Sequence, residues 1–134
     1  MAGFAIEYVI LPNGRMPGRE FVDSLGEDAA AKAYAFIERL RSYGTWMQGK
    51  FVRKLTKNIF ELRVKHFDRI FRVLFFYQPG MLIVITSGFQ KRTEQTPPAE
   101  IARAERLRGL WLRYRNRYPE SNEERQRILR EVQP

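Results

Sequence analysis

The length, composition and charge of the chain exclude several classes of protein before any pattern is considered. Its 134 residues suit one domain, and a hydrophobic fraction of 44% with 13% aromatic residues favours a packed globule over a disordered chain. Cysteine is absent and histidine occurs once, which excludes disulfides, thiolate nucleophiles and cysteine- or histidine-rich metal sites, so we expect no metal and no cofactor. A formal charge of +9 favours nucleic acid or an acidic protein as the partner.

One strand and two helices are predicted in the N-terminal third of the chain. Residues 4–11 read as a strand that ends at a Pro-Asn-Gly turn. A short helix over residues 17–25 begins with a proline. Ser24 and Glu27 have the spacing of a capping box, which predicts the start of a longer helix that ends near Gly44. Its apolar residues recur at helical spacing and indicate core rather than function.

The N-terminus also bears on the location of the protein. It has neither a basic leader nor a small-residue cleavage site. No apolar run approaches the roughly 20 residues that span a bilayer. We therefore expect a soluble, cytoplasmic protein that does not enter a membrane.

Three strands with short connections are predicted in the middle of the chain. Residues 59–65 alternate between apolar and charged side chains, as in a half-buried strand. Residues 70–77 are apolar on both faces except at Arg72, as expected of a central strand. A further strand follows over residues 81–89, so these three form an antiparallel meander that the first strand joins.

Charged side chains interrupt these strands. Glu61 and Arg63 lie on one face of their strand, Arg72 interrupts the next strand, and Lys91 follows the last one. A charge on the buried face of a sheet has to be paired or used, because its removal from water is costly. Neighbouring strands that each carry a cation indicate one shared surface that holds an anion, and the basic chain makes a polyphosphate the first candidate.

The C-terminal third is predicted as one long helix and a tail. Thr96 is a candidate helix cap, and the prolines and the acid that follow it suit a first helical turn. An apolar seam continues to about residue 118, and Pro119 ends the packed domain. The sequence thus predicts a domain over residues 1–118 and a charged tail over residues 119–134.

Three motifs in the centre of the chain resemble a known family in their order and spacing. They are Glu-Leu-Arg at 61–63, Phe-Arg-Val-Leu-Phe-Phe at 71–76 and Phe-x-Lys-Arg-Thr-x-Gln-Thr-Pro at 89–97. Over roughly residues 4–118 the chain resembles the RelE/HigB superfamily of type II toxins, specifically its phage-derived HigB-like branch. The resemblance implies an α+β fold: a small domain with a twisted, mainly antiparallel four-stranded sheet, two N-terminal helices and a C-terminal helix.

The resemblance also implies an activity and partners. Such toxins are metal-independent endoribonucleases that cleave mRNA, usually on the ribosome, and so inhibit translation. The 2′-hydroxyl attacks the adjacent phosphorus, which requires a base, cations around the phosphorane and a proton donor. A cognate antitoxin, expected to be a helix-turn-helix repressor, holds the toxin inactive. The expected partners are therefore this antitoxin, mRNA and the ribosome.

Site residues follow from the same motifs. Lys91 matches the functional lysine of the third motif and is expected to contact phosphate in the transition state. Arg72 is expected to face the scissile phosphate, and Arg63 to bind the RNA backbone. Glu61 lies near the position of the general base in related toxins and is the candidate base.

A second group of cations is expected to bind RNA outside the catalytic set. These residues are Arg92, Lys65, Lys57 and Arg69. Two departures from the branch are notable: Gln95, preceded by Glu94, stands where the branch usually has a lysine, and no late histidine is present as general acid. The proton for the leaving group is left to Lys91, Tyr77, water or the ribosome.

Each of these residues also has a structural interpretation. Glu61 and Arg63 can pair with neighbours on a solvated face, and Arg72 can be a buried arginine paired with carbonyls or with Asp68. His66 is more typical of a turn than of catalysis. The arginine face of the last helix suits either plain solvation or docking to ribosomal RNA.

Two other functions remain open. A ParE-like toxin with the same architecture would bind a DNA topoisomerase and cut no RNA, although the cations after the last strand argue against it. A catalytically silent, basic nucleic-acid-binding module is the third possibility. Growth arrest and transcript cleavage separate the three.

Overall fold

The structure is a computed structural model that describes residues 3–92 and 94–133, so Thr93 of the third motif lies outside the described residues. One sheet contains five strands in the order β1-β5-β4-β3-β2. The strands are β1 Ala5–Tyr8, β2 Val52–Lys54, β3 Phe60–His66, β4 Arg69–Gln78 and β5 Leu82–Gln90. β1 pairs parallel with β5, and all other pairs are antiparallel.

The predicted four-stranded sheet is therefore wrong in its strand count. The meander of three strands is confirmed as β3, β4 and β5, with the strand that carries Arg72 at the centre of the sheet. The additional strand, β2, pairs with the outer side of β3. It has only three residues, which is too short for alternation to reveal it in the sequence.

Four helices accompany the sheet, one more than predicted. They are α1 Pro17–Asp23, α2 Glu27–Tyr43, α3 Pro98–Tyr114 and α4 Asn122–Val132. The capping box at Ser24 is wrong: Gly26 is the N-cap of α2, and the Ser24 hydroxyl donates to the carbonyl of Phe21 at 2.6 Å. None of the described helices combines the length and apolar character that a bilayer crossing requires.

The sheet separates two hydrophobic cores. α1 and α2 pack on one face, where Leu62, Val64 and Phe71 are buried. α3 and α4 pack on the other face, where Phe76 and Trp111 are in contact with ring centroids 5.6 Å apart. Residues 71–76 of β4 are buried throughout because β4 has neighbours on both edges and helices over both faces.

The segment predicted as a charged tail contains α4. Its side chains Ile128, Leu129 and Val132 are buried, and each contributes up to roughly 1.5–3 kcal/mol if fully removed from water. The helix begins at Ser121, whose hydroxyl accepts a hydrogen bond from the Glu124 amide at 3.4 Å. The boundary at residue 118 stays a prediction, but residues beyond it complete the second core.

Polar contacts fix the end of α3 against β1. The backbone leaves the helix in left-handed conformations at Arg115 and Asn116. The Asn116 amide nitrogen donates to Glu7 Oε1 at 3.0 Å and to the Tyr8 carbonyl at 2.8 Å. Trp111 Nε1 donates to the same carboxylate oxygen at 2.7 Å. These contacts anchor the C-terminal end of α3 to β1. They therefore fix the direction of the helix, whose N-terminal end follows the loop after β5.

Candidate anion-binding site

The strand register brings the charged residues of the central motifs to one face. Arg63 lies directly opposite Arg72 in the β3–β4 ladder, and Arg53 of β2 lies opposite Glu61. Residues directly opposite each other in an antiparallel pair project from the same face. The predicted alternation of β3 is thus confirmed, and its charged face is the one that α3 and α4 cover.

Lys91 joins this face just beyond the end of β5. Phe89 lies opposite Arg72, and the amide of Lys91 donates to the carbonyl of Ile70 at 2.7 Å, which extends the pairing by one step. Since alternate residues of a strand share a face, Lys91 projects on the same side as Arg72. Its amino group lies 3.7 Å from the carboxylate of Glu94, and its side chain is only 8% exposed, whereas that of Glu94 is fully exposed.

A buried ion pair bridged by a hydroxyl forms the centre of the site. The side chains of Arg72 and Glu61 are 1% and 0% exposed, and Arg72 Nη1 donates to Glu61 Oε1. Thr96 Oγ1 donates to the second carboxylate oxygen, Glu61 Oε2, at 2.6 Å. Arg72 Nη1 also lies 3.3 Å from Thr96 Oγ1, which accepts from it. The Glu61 carboxylate therefore compensates the buried positive charge of Arg72, and Thr96, in the loop after β5, hydrogen-bonds to both side chains.

The outer edge of the Arg72 guanidinium has no partner among the described residues. Its Nε and Nη2 atoms are buried, and neither makes a hydrogen bond to any described atom. These two N–H groups lie side by side and match the two oxygens of a carboxylate or phosphate. A buried donor without a partner costs about 1–3 kcal/mol, so an unpaired edge of this kind is unfavourable until an acceptor arrives.

Neighbouring charges also act on Arg72. Burial is the main cause that lowers the pKa of its guanidinium, and the cations Arg63 and Arg53 lower it further, while Glu61 raises it. The contributions of Arg63 and Arg53 reflect the gathering of three arginines around one carboxylate. An incoming anion would relieve the repulsion between the arginines.

One comparison with known proteins identifies a family for this chain. Residues 20–108, which are more than half of the chain, match the family described as phage derived protein Gp49-like (DUF891). The chain belongs to this family. Gp49-like proteins are a RelE-type, toxin-like family related to the toxins of toxin–antitoxin systems. No curated protein matches the chain.

The family match spans every charged residue of the site. It begins inside α1 and ends inside α3, so it includes Glu61, Arg72 and Thr96. β1 and α4 lie outside the match, although β1 pairs with β5 and α4 completes the second core. The Gp49-like region thus provides the site, and the flanking elements support it.

The four cations of this Gp49-like chain that were predicted to bind RNA do not all lie on the face of the site. Lys65 is exposed on the same face as Arg63, and Lys57 is exposed in the turn between β2 and β3. Arg92 is exposed directly after Lys91. Arg69 alternates with Arg72 to the other face of β4, where its guanidinium lies 4.7 Å from the centre of the Phe71 ring.

Tyr77, a candidate proton donor, and His66 both lie away from the site. Tyr77 packs against Phe4, Phe60 and Phe75 in the first core, on the face opposite Arg72, and burial raises its pKa to about 12. His66 follows the same alternation as the buried Val64 and contacts Phe67 with ring centroids 4.7 Å apart. Among the described residues, no group of three histidine or acidic side chains is placed to hold a metal ion.

Two residues of the site had no functional role in the sequence predictions. Thr96 was expected to cap α3, but the N-cap is Pro97 without a side-chain cap bond, and the Thr96 hydroxyl joins the ion pair instead. Its position at the end of the third motif could have indicated a functional role for Thr96. Arg53 lies in the short strand β2, whose existence the sequence pattern did not reveal. The structural interpretation of Arg72 as a buried arginine paired with a carboxylate is confirmed, but the carboxylate is that of Glu61 and not that of Asp68.

Proposed function

We propose that this Gp49-like protein is the toxin of a type II toxin–antitoxin system, of the HigB-like branch, and that it cleaves mRNA on the ribosome without a metal. The observation that carries the proposal is the free Nε–Nη2 edge of Arg72 in a cluster of cations. The two parallel N–H groups of such an edge match the spacing of two oxygens of a carboxylate or phosphate. The phosphodiester of RNA provides two such oxygens.

The chemistry is an internal transesterification. The 2′-oxygen of a ribose forms a bond to the adjacent phosphorus while the bond from phosphorus to the 5′-oxygen breaks. The products are a 2′,3′-cyclic phosphate and a 5′-hydroxyl, with one proton passing to a base and one supplied to the leaving oxygen. Negative charge accumulates on the non-bridging oxygens of the phosphorane, and preorganised donors stabilise it.

The cations of the site suit this charge. Arg72 would bind two non-bridging oxygens through its free edge, with Arg63 beside it on the adjacent strand. Lys91 would add a third positive charge from the loop after β5 once its weak contact with Glu94 is released. Since Arg72 and Lys91 are largely buried in the free chain, binding of RNA requires a shift of the side chains or loop above them.

The geometry around Glu61 is unfavourable for its predicted role as the base of the reaction. Glu61 is the base predicted from the motif, yet its side chain is 0% exposed and both carboxylate oxygens hold hydrogen bonds. A base must come within hydrogen-bond distance of the 2′-hydroxyl. Glu61 stays a prediction in this role, and the general acid is unassigned.

Exposed cations would hold the RNA backbone around the site. Lys65, Lys57 and Arg92 are exposed and are free to contact phosphates. Such contacts release counterions and give affinity that depends on salt but not on sequence. Arg69 lies on the other face, at the first residue of β4, so it would contact RNA only around that end of the strand.

The family relation supports an antitoxin as the regulatory partner. An acidic or amphipathic segment of a helix-turn-helix repressor would cover the basic face and block access to Arg72. The complex would form in the cytoplasm, where translating ribosomes are available as targets.

A toxin that binds a DNA topoisomerase without cutting RNA is the second candidate. Its support is the pairing of both central cations with acids, Arg72 with Glu61 and Lys91 with Glu94. In that function the buried pair would serve stability alone. Transcript cleavage separates the two functions.

The test is a short pulse of expression followed by mapping of new 5′ ends across all transcripts. Wild type is compared with Arg72→Lys and Lys91→Ala, with Arg41→Lys of the exposed pair on α2 as the control. We expect cuts inside translated frames that disappear in the first two variants and persist in the control. Growth arrest with intact messages would favour the topoisomerase function, and neither effect would leave a binding-only protein.

A further inference from the structure

We propose that Thr96 and Glu61 are positioning residues that hold the Arg72 guanidinium by Nη1 alone, so that its Nε–Nη2 edge stays free for a phosphate. The ligand class rests on the proposed function. The positioning itself rests on three contacts: Arg72 Nη1 to Glu61 Oε1, Thr96 Oγ1 to Glu61 Oε2 at 2.6 Å, and Arg72 Nη1 to Thr96 Oγ1 at 3.3 Å.

The geometry of the ion pair is the first step. An arginine and a carboxylate favour a two-bonded arrangement in which both oxygens meet the guanidinium fork. Here Glu61 gives only one oxygen to Arg72, and the other oxygen accepts from the hydroxyl of Thr96, which holds the carboxylate in this one-bonded orientation. The threonine therefore prevents the acid from closing on the Nε–Nη2 edge, and that edge is buried without a partner.

The burial of Glu61 is the second step. Its side chain is 0% exposed and both oxygens are engaged, so a ribose hydroxyl has no route to it in this arrangement. Its negative charge is nevertheless required, since a buried arginine without a counter-charge is strongly destabilising. Glu61 thus balances and orients Arg72, and in this inference it is not the base.

The loop that carries Lys91 is the third step. One end of the loop between β5 and α3 is fixed by the hydrogen bond from the Lys91 amide to the Ile70 carbonyl. The other end is fixed by Thr96, immediately before the first turn of α3. The Thr96 hydroxyl therefore holds the end of this loop nearest α3 beside Arg72, although Thr96 itself need not touch the RNA.

The test compares Thr96→Val, which removes the hydroxyl at equal size, with Thr96→Ser, which keeps it. Thr86→Val is the matched control, because Thr86 also donates a buried hydroxyl hydrogen bond within the same sheet, to the Leu74 carbonyl at 3.1 Å. Cleavage of ribosome-bound mRNA is measured under single-turnover conditions, and binding is measured with an RNA that carries 2′-O-methyl groups and cannot react.

We expect Thr96→Val to lower the single-turnover rate about 10- to 100-fold, as a misplaced catalytic group does. Binding of the unreactive RNA should change by less than about threefold, because the loss falls on the transition state. Thr96→Ser should restore the rate, and Thr86→Val should leave it unchanged. Wild-type rates in Thr96→Val, or a serine variant as slow as the valine variant, would overturn the inference.

A second readout does not depend on cleavage. The side-chain Nε–H resonance of Arg72, identified by its absence in Arg72→Lys, is followed by NMR while inorganic phosphate is added. We expect a phosphate-dependent shift in wild type and Thr96→Ser, and none in Thr96→Val, where Glu61 closes on the fork. An equal shift in Thr96→Val would overturn the inference.

The two readouts separate this inference from the proposed function. If wild type cuts no RNA but phosphate still shifts Arg72 only when the hydroxyl is present, the nuclease function fails and the positioning role stands. If wild type and Thr96→Val cut RNA equally, the nuclease function stands and the positioning role fails.

Discussion

Both faces of the sheet contain fully buried side chains at the centre of β3 and β4, but these side chains differ in chemistry. On the face toward α1 and α2, Leu62 and Phe71 contribute only apolar surface. On the face toward α3 and α4, the same two strands contribute Glu61 and Arg72. Burial by itself therefore does not distinguish the site from the core. The distinction is that the second face retains a buried charged group, the Arg72 guanidinium, whose Nε and Nη2 have no acceptor among the described residues, whereas the unpaired buried group of the first face is the neutral Tyr77 hydroxyl.

The largest expected effect concerns the charge balance of the second face. Glu61→Ala should lower the free energy of unfolding by about 3–5 kcal/mol, because it leaves Arg72 buried and uncompensated. The double variant Glu61→Leu with Arg72→Met should regain most of that stability, since a buried ion pair is often replaceable by apolar residues of similar volume. Unfolding in urea measures both.

The first face provides the contrast for that experiment. Phe71→Ala should cost about 3–5 kcal/mol as well, but through a cavity rather than a charge, so no single partner change should rescue it. If the Glu61 and Arg72 double variant is no more stable than Glu61→Ala, the two faces are held by the same kind of packing and the comparison fails.

Arg72→Lys should have the next largest effect, on activity. Lysine keeps the positive charge but loses the two-pronged edge, and loss of one such donor lowers rates roughly 100- to 1,000-fold. Single-turnover cleavage of ribosome-bound mRNA measures the loss, with a urea midpoint to verify the fold. Cleavage within a few-fold of wild type would show that Arg72 acts as charge alone.

Leu129→Ala tests whether the charged face depends on apolar cover from α4. Leu129 is buried in that helix, and its truncation should lower the free energy of unfolding by about 2–3 kcal/mol. Cleavage at a temperature where the variant is fully folded should be unchanged. If the variant were as stable as wild type, residues 119–134 would not contribute to the stability of the domain.

The smallest expected effect concerns the exposed cations on the rim of the face. Lys65→Gln should weaken RNA binding a few-fold and lower the slope of log K against log salt by about 0.7, the value for one single-strand phosphate. Lys32→Gln, an exposed lysine on α2, is the control. Binding of the unreactive RNA at several salt concentrations measures the slope, and equal slopes would remove Lys65 from the RNA path.

Prediction from the sequence succeeded for strands that are long enough to show a recognisable pattern of apolar and polar residues. The alternation over residues 59–65 predicted β3 and its charged face, and the apolar run around Arg72 predicted the central strand. β2 has only three residues, which are too few to show an alternating pattern. In α4, charged residues dominate the composition and masked the spacing of Ile128, Leu129 and Val132.

The sequence by itself determined that one face of a sheet would carry cations, and its formal charge of +9 predicts an anionic partner. Only the tertiary structure decided how those charges pair, because the partners are separated along the chain and the strand register selects them. Glu61 and Arg72 lie 11 positions apart, and Glu61 and Thr96 lie 35 apart. No local pattern joins such residues, since side-chain contacts at that distance are fixed by register and by the packing of α3.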